Sequence, residues 1–220
     1  MLRKISFSLL FLIIAISSAW AIQNPVDMLN KTIVTTQDNL MKNSSEYQKD
    51  PYKLLALVDK KIIPIVSLDV IAQLMVGTSK WKEATSQEQK AFIKSATEML
   101  TFMYAKNVAA AGKYKLSLTP FDSNNTSWKN KKIVVVNGKI TNIGNNQSSD
   151  FAVKMFNKDN KWHIYDFNIA GVSILNTYKQ QFTSFKTVPE MTKAAEKVTL
   201  RVKTKNYPKM LDKNYDLQNV

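Results

Sequence analysis

Apolar positions outline this chain before any residue type is weighed. From Asn24 to Met41 they recur at Val26, Leu29, Ile33 or Val34, and Leu40, a helical spacing opened by Asn24-Pro25 as cap and first-turn residues. Asp50-Pro51 restarts the chain, and Leu54, Leu55, Val58, Ile62 and Ile63 keep the helical period until Pro64 forces a break or kink. A further helix is predicted through Leu68, Ile71, Leu74 and Met75 to Gly77, taken as a left-handed stop, with Trp81 in a loop over the helix ends. Thr85-Ser86-Gln87-Glu88 matches a capping box, in which hydroxyl and carboxylate each satisfy a free amide of the first turn. The long helix it predicts carries Phe92, Ala96, Met99 or Leu100, Met103 and Val108 on one face and ends near Gly112.

From Lys113 the period drops to two. Tyr114, Leu116 and Leu118 alternate with polar residues, and Ile133 to Ile143, Phe151 to Phe156 and Trp162 to Ile169 follow as antiparallel strands between Asn-, Ser-, Gly- and Lys-rich turns. Between two places for the chain to reverse, the segment Gly144 to Ser148 is preferred over Asn137-Gly138, leaving Gly138 as a bulge. After Gly171 the helical period returns with Ile174 or Leu175, Tyr178, Phe182 and Phe185, and Pro189-Glu190 opens a short last helix. Residues 201–220 read as a basic, loosely ordered tail. Helices, a meander and helices again make an α+β fold: an antiparallel four- to five-stranded curved sheet covered by helices on one face, in a single domain over residues 22–200. Such a cone either fills with its own side chains or encloses a ligand, and periodicity does not choose between them.

The N-terminus reads as an address rather than as structure. Arg3 and Lys4 precede a short apolar run from Ile5 to Ile16, and Ala19-Trp20-Ala21 supplies a small-residue cleavage site, so residues 1–21 are expected to be a signal peptide and Ile22 the first mature residue. Export places the mature chain outside the cytoplasm. Cleavage takes Lys plus Arg from 31 to 29 against 17 acidic residues, a mature net charge of +12. Charge of that size suits a solvated surface, nucleic acid or an anionic membrane and acidic partners, and export argues against nucleic acid. With no cysteine, stability has to come from packing even in an oxidising compartment.

Candidate chemistry is sparse. His163 is the only histidine, on an alternating strand with no partner motif, and Asp122-Ser123-Asn124-Asn125 lacks the Gly and distal Glu of a calcium loop. Gly171-Val172-Ser173 is half of a nucleophile elbow. There is no phosphate loop or dinucleotide fingerprint, so no catalytic residue, metal or cofactor is expected.

The stretch from Trp162 through Tyr165-Asp166, Gly171-Val172-Ser173, Asn176, Tyr178 and Gln181-Phe182 resembles the signature of the MlaC family of periplasmic phospholipid-binding proteins, W-x-hydrophobic-Y-D-x-x-x-E-G-V-S-L-x-x-N-Y-R-x-Q-F. Leu74 to Gly77, Trp81-Lys82, Ala84-Thr85, Gln89, Phe92 and Tyr104-Ala105 are similar to a second family segment. Ala170 stands where the family has Glu and Lys179 where it has Arg; a joint loss would remove an ion pair without leaving a lone charge. The resemblance implies a monomeric carrier with a hydrophobic cavity for phospholipid. It also implies transient contacts with an outer-membrane lipoprotein–porin complex and an inner-membrane ABC transporter. Its cavity walls are expected from Leu74, Met75, Phe92, Met99, Met103 and Tyr104 on helices, Val134, Val136, Tyr165 and Phe167 on the sheet, and Val172, Leu175 and Tyr178 beyond Gly171. From the residues alone each reads first as plain core, because most apolar residues on covered faces simply pack. The competing functions are a carrier of another hydrophobic ligand such as a hopanoid or solvent, a small enzyme built on His163 and Asp166, and an adaptor with a filled core.

Overall fold

The structure is a computed structural model that describes residues 22–109, 111–121 and 126–206. The expected signal segment, residues 122–125 and the sequence beyond Asn206 lie outside the described residues, as does the side chain of Val108. Helix α1 (Pro25–Lys42) starts where Asn24 Oδ1 accepts the Val26 amide at 2.9 Å. A short α2 (Ser44–Lys49) leads to α3 (Pro51–Lys61), capped by Asp50 through the Tyr52 amide, and Pro64 ends that run in a 3₁₀ turn at Ile63–Ile65.

Helix α4 (Leu68–Val76) stops at Gly77, but Trp81 is not in a loop. At φ +91° and ψ 147° Gly77 is not a left-handed stop; its carbonyl accepts the Trp81 amide and opens α5 (Thr78–Glu83). The capping box forms as read, with the Thr85 hydroxyl accepting the Glu88 amide at 3.2 Å and the Glu88 carboxylate accepting the Thr85 amide at 2.7 Å. That amide bond holds the Glu88 carboxyl below its ordinary pKa. It starts α6 (Ser86–Ala109).

Strands β1 (Tyr114–Leu118), β2 (Ile133–Asn142), β3 (Ser148–Lys158), β4 (Lys161–Ile169) and β5 (Val172–Ser173) form one antiparallel sheet in chain order. The chain reverses between Asn142 and Ser148 as expected, whereas Gly138 is not a bulge: it pairs in register with Leu118 and Phe151. A Cβ there would sit 2.6 Å from the Phe151 ring and 2.5 Å from the Ser117 carbonyl, so the glycine makes room for that ring. The bulge lies in β4 instead, where the register slips between Lys154 and Met155 and leaves Tyr165 without an opposite residue.

Ile169 pairs with Val172 across a two-residue turn in which Ala170 has φ +48° and Gly171 φ +84°. The left-handed conformation costs an alanine about 1–2 kcal/mol, against about 0.5–1 kcal/mol of extra unfolded-state freedom for glycine. Ala170→Gly is therefore expected to stabilise the protein by about 0.5 kcal/mol, read as a higher urea midpoint with unchanged slope.

Helix α7 (Ile174–Phe182) follows, and α8 (Val188–Asn206) is not short: its 19 residues pack along α6 and take in Arg201 to Asn206 of the expected tail. Val188, Met191, Ala195 and Thr199 keep a buried stripe in step over its first three turns, and partly buried Val202 continues it. Near its end Lys203 bonds Glu98 at 2.5 Å beneath the Phe102 ring. Burial pulls the Lys203 ammonium down, but the bond and charge of Glu98 outweigh it and leave its pKa raised.

Two cores result. One joins α4, α6, α7 and α8 through Met75, Phe92, Met99, Tyr178, Phe182 and Met191. The other packs Val26 and Leu29 of α1 on Val134, Val136, Phe151, Val153 and Met155 of the sheet's inner face. The open edge of β4 is closed by β5 and by Val66–Ser67, where the Ser67 amide donates to the Ile164 carbonyl at 3.0 Å.

Candidate ligand-binding site

Between the two cores lies a cavity of about 710 Å³, within the ~300–1,000 Å³ typical of sites for small organic ligands. Its helical walls come from α1 (Leu29, Ile33, Thr36, Leu40), α3 (Leu54, Leu57, Val58), the turn after α3 (Ile62, Ile65, Val66), α4, α6 and α7. The sheet supplies Leu116, Ile140, Phe151, Val153, Ile164, Tyr165, Phe167 and Ile169. The lining is almost wholly carbon, and its polar side chains are largely engaged. Gln37 donates to the Tyr114 carbonyl at 2.5 Å and Thr32 to the Met28 carbonyl at 3.2 Å.

Asp166 shows why the strand–turn–helix stretch reads as it does. Its buried carboxylate accepts the Ser173 hydroxyl at 2.8 and 3.0 Å and the Leu175 amide at 3.1 Å, and pairs with Lys154 at 3.0 Å. The Ser173 oxygen in turn accepts the Asn176 amide and caps α7. Together they fix the start of α7, and with it Ile174 and Leu175, against the cavity. At the other end of β4 the Trp162 indole donates to the Gln23 carbonyl at 3.0 Å and ties down the entry to α1.

Of the residues expected to form the walls, Met75, Tyr104, Tyr165, Phe167 and Leu175 border the cavity together. Phe92, Met99 and Tyr178 are buried in the helical core and Val134 and Val136 in the core between α1 and the sheet, none of them on the lining. Leu74, Met103 and Val172 are off the lining and exposed, at 37 %, 40 % and 57 %. Tyr178 donates to the Met103 sulfur at 3.3 Å, and burial first, then Tyr104, raises its phenol pKa. The walls from α1, α3 and the following turn were not anticipated, although Leu29, Ile33 and Leu40 already stood on one helical stripe.

His163 is absent from the lining; it opposes Phe156 across the ladder, on the strand face that alternates with buried Val153 and Met155. No group of three or more His, Cys, Asp or Glu side chains able to hold a metal occurs among the described residues.

One polar atom is out of place. The Thr36 hydroxyl is buried without a hydrogen-bond partner among the described residues, which costs about 1–3 kcal/mol. Thr36→Val keeps the shape and removes that cost, so the unfolding free energy is expected to rise by about 1 kcal/mol, read as a higher denaturant midpoint with unchanged slope.

Three comparisons bear on this architecture. The family model described as MlaC protein matches residues 30–197. A relative, the intermembrane phospholipid transport system binding protein MlaC of Haemophilus influenzae, is 23% identical over 161 residues, covering 72% of each chain. A phospholipid-binding protein from Ralstonia solanacearum, solved in complex with a phospholipid, superposes with a TM-score of 0.73 at 20% identity, over 82% of this chain and 99% of that one.

Proposed function

This chain belongs to the MlaC family, and from that premise we propose that its cavity holds the acyl chains of a phospholipid and that the protein carries lipid between membranes. The observation that carries the reading is the cavity itself: about 710 Å³ of apolar space. Roomy apolar voids stay dry and take apolar guests. Each buried methylene contributes roughly 0.8 kcal/mol, so an acyl chain leaving a bilayer needs such a shelter, while its head group stays in water at the mouth. Binding of this kind involves no covalent step, and the carboxylate on the lining, Asp166, is already committed to Ser173, Leu175 and Lys154. The phospholipid in the Ralstonia complex and the transport system named for the Haemophilus relative support the choice of ligand.

In this reading the protein is exported by its cleaved leader and works in the periplasm as a monomeric shuttle. It docks briefly with an outer-membrane lipoprotein–porin complex and an inner-membrane ABC transporter, and so maintains outer-membrane lipid asymmetry. No helix among the described residues is long and apolar enough to cross a membrane. Native mass spectrometry of the chain from Ile22, purified from a diderm periplasm and followed by lipid extraction, tests the ligand. Stoichiometric phospholipid is expected. A different extracted lipid would reassign the cargo, and a protein that is empty and takes up no added lipid would end the carrier reading.

A further inference from the structure

Helix α8 buries Val188, Met191, Thr192, Ala195 and Thr199. Counting in steps of four along its other side gives Lys193, Lys197, Arg201 and Lys205, all exposed. At 100° per residue this row runs over the part of the helix farthest from the buried stripe. Like charges at i, i+4 weaken a helix by a few tenths of a kcal/mol per pair, so local stability does not account for four in succession. None of the four is in an ion pair among the described residues. The two glutamates of the helix are engaged elsewhere, Glu190 with the Lys186 and Thr187 amides and Glu196 with the Ser95 hydroxyl. Lys203, off this row, is the basic residue that α8 spends on structure, in its bond to Glu98. One turn beyond Lys197, Leu200 stands 58 % exposed beside the row.

We propose that this face of α8 is a docking surface for an anionic phospholipid bilayer, with the four basic side chains among the head groups and Leu200 dipping between them. A row of three lysines and one arginine along the outer side of a helix matches a diffuse sheet of negative charge. It lacks the bidentate arginine geometry that a particular acidic protein site favours. Each basic residue near such a surface contributes about 1 kcal/mol, enough for reversible attachment and too little for anchoring. The surface stands apart from the cavity and does not depend on what the cavity holds.

Co-sedimentation of the full mature chain with two kinds of vesicle tests this: phosphatidylcholine alone, and phosphatidylcholine with about 30 % phosphatidylglycerol at low salt. Binding is expected only to the anionic vesicles and is lost in about 0.5 M salt. Joint replacement K193Q, K197Q, R201Q and K205Q is expected to weaken it by roughly a hundredfold to a thousandfold. Removing the same charge elsewhere, with K60Q, K61Q, K131Q and K132Q, all at exposed lysines, is expected to weaken it less than about tenfold. Failure of the unaltered protein to bind, or equal loss in both charge variants, overturns the proposal. So does loss of sedimentation in a variant whose cavity is blocked at Val153, since the vesicles would then be supplying cargo rather than a surface.

Discussion

Asp166→Ala is expected to lower the stability of this protein by about 3 kcal/mol, roughly 6–12 °C in melting temperature for a domain of this size. Three donors lose their acceptor at once. The Leu175 amide, at the first turn of α7, is left with no partner in a buried setting, and the Ser173 hydroxyl loses the carboxylate that orients it as the cap of the same helix. Lys154 suffers least, because its side chain is about one-third exposed and can turn to water. The complementary change, Lys154→Met, should therefore cost less than half as much: the carboxylate keeps both its hydrogen bonds and the favourable helix terminus. Urea unfolding of the two variants side by side checks the ordering. Equal losses would mean that the ion pair, rather than the anchoring of α7, is what Asp166 supplies.

That result would also explain which parts of the site were legible from sequence. Signals confined to a few residues came through, since local chemistry sets them: the Asn24 cap, the restart at Asp50-Pro51, the Thr85–Glu88 box, and the strand–turn–helix from Trp162 to Phe182 all form where the pattern placed them. Features decided across the fold did not. Gly138 carried a glycine's usual marks of a bulge, but its reason is the Phe151 ring on the neighbouring strand, while the actual bulge at Tyr165 has no glycine to announce it. Trp81 sits between lysines with no periodic neighbours, so its helix depends on the turn at Gly77.

The same distinction divides the candidate site. A helical or strand pattern says that Phe92, Met99 and Val136 are covered, and they are, but not whether a side chain or a void covers them. That depends on how far α1 and α3 stand from the sheet, a distance no residue in either helix encodes alone. The one local hint was compositional: on α1, Thr32, Ile33, Thr36 and Gln37 border the cavity together with Leu29, a more polar mixture than the close-packed Pro25 and Val26 at the start of the helix.

Val153→Trp is expected to weaken ligand binding in the cavity about sixtyfold while leaving the fold intact. Val153 lies on the inner face of β3 opposite Phe167, fully buried by its neighbours on one side and bordering the cavity on the other. In a close-packed core the added indole would force shifts costing about 1–3 kcal/mol. Here it has open apolar space to enter, so stability should hold or rise as new contacts form. Occupying the room of about three methylenes removes roughly 2.4 kcal/mol of ligand binding, close to a sixtyfold loss of affinity. Ile33→Trp, which enters from α1, should act the same way. Lipid retained on purification and melting temperature are read on the same samples. Both variants stable and lipid-free would tie the cargo to this space. Variants that unfold would show a core already filled with side chains, and variants that stay fully loaded would place the acyl chains elsewhere.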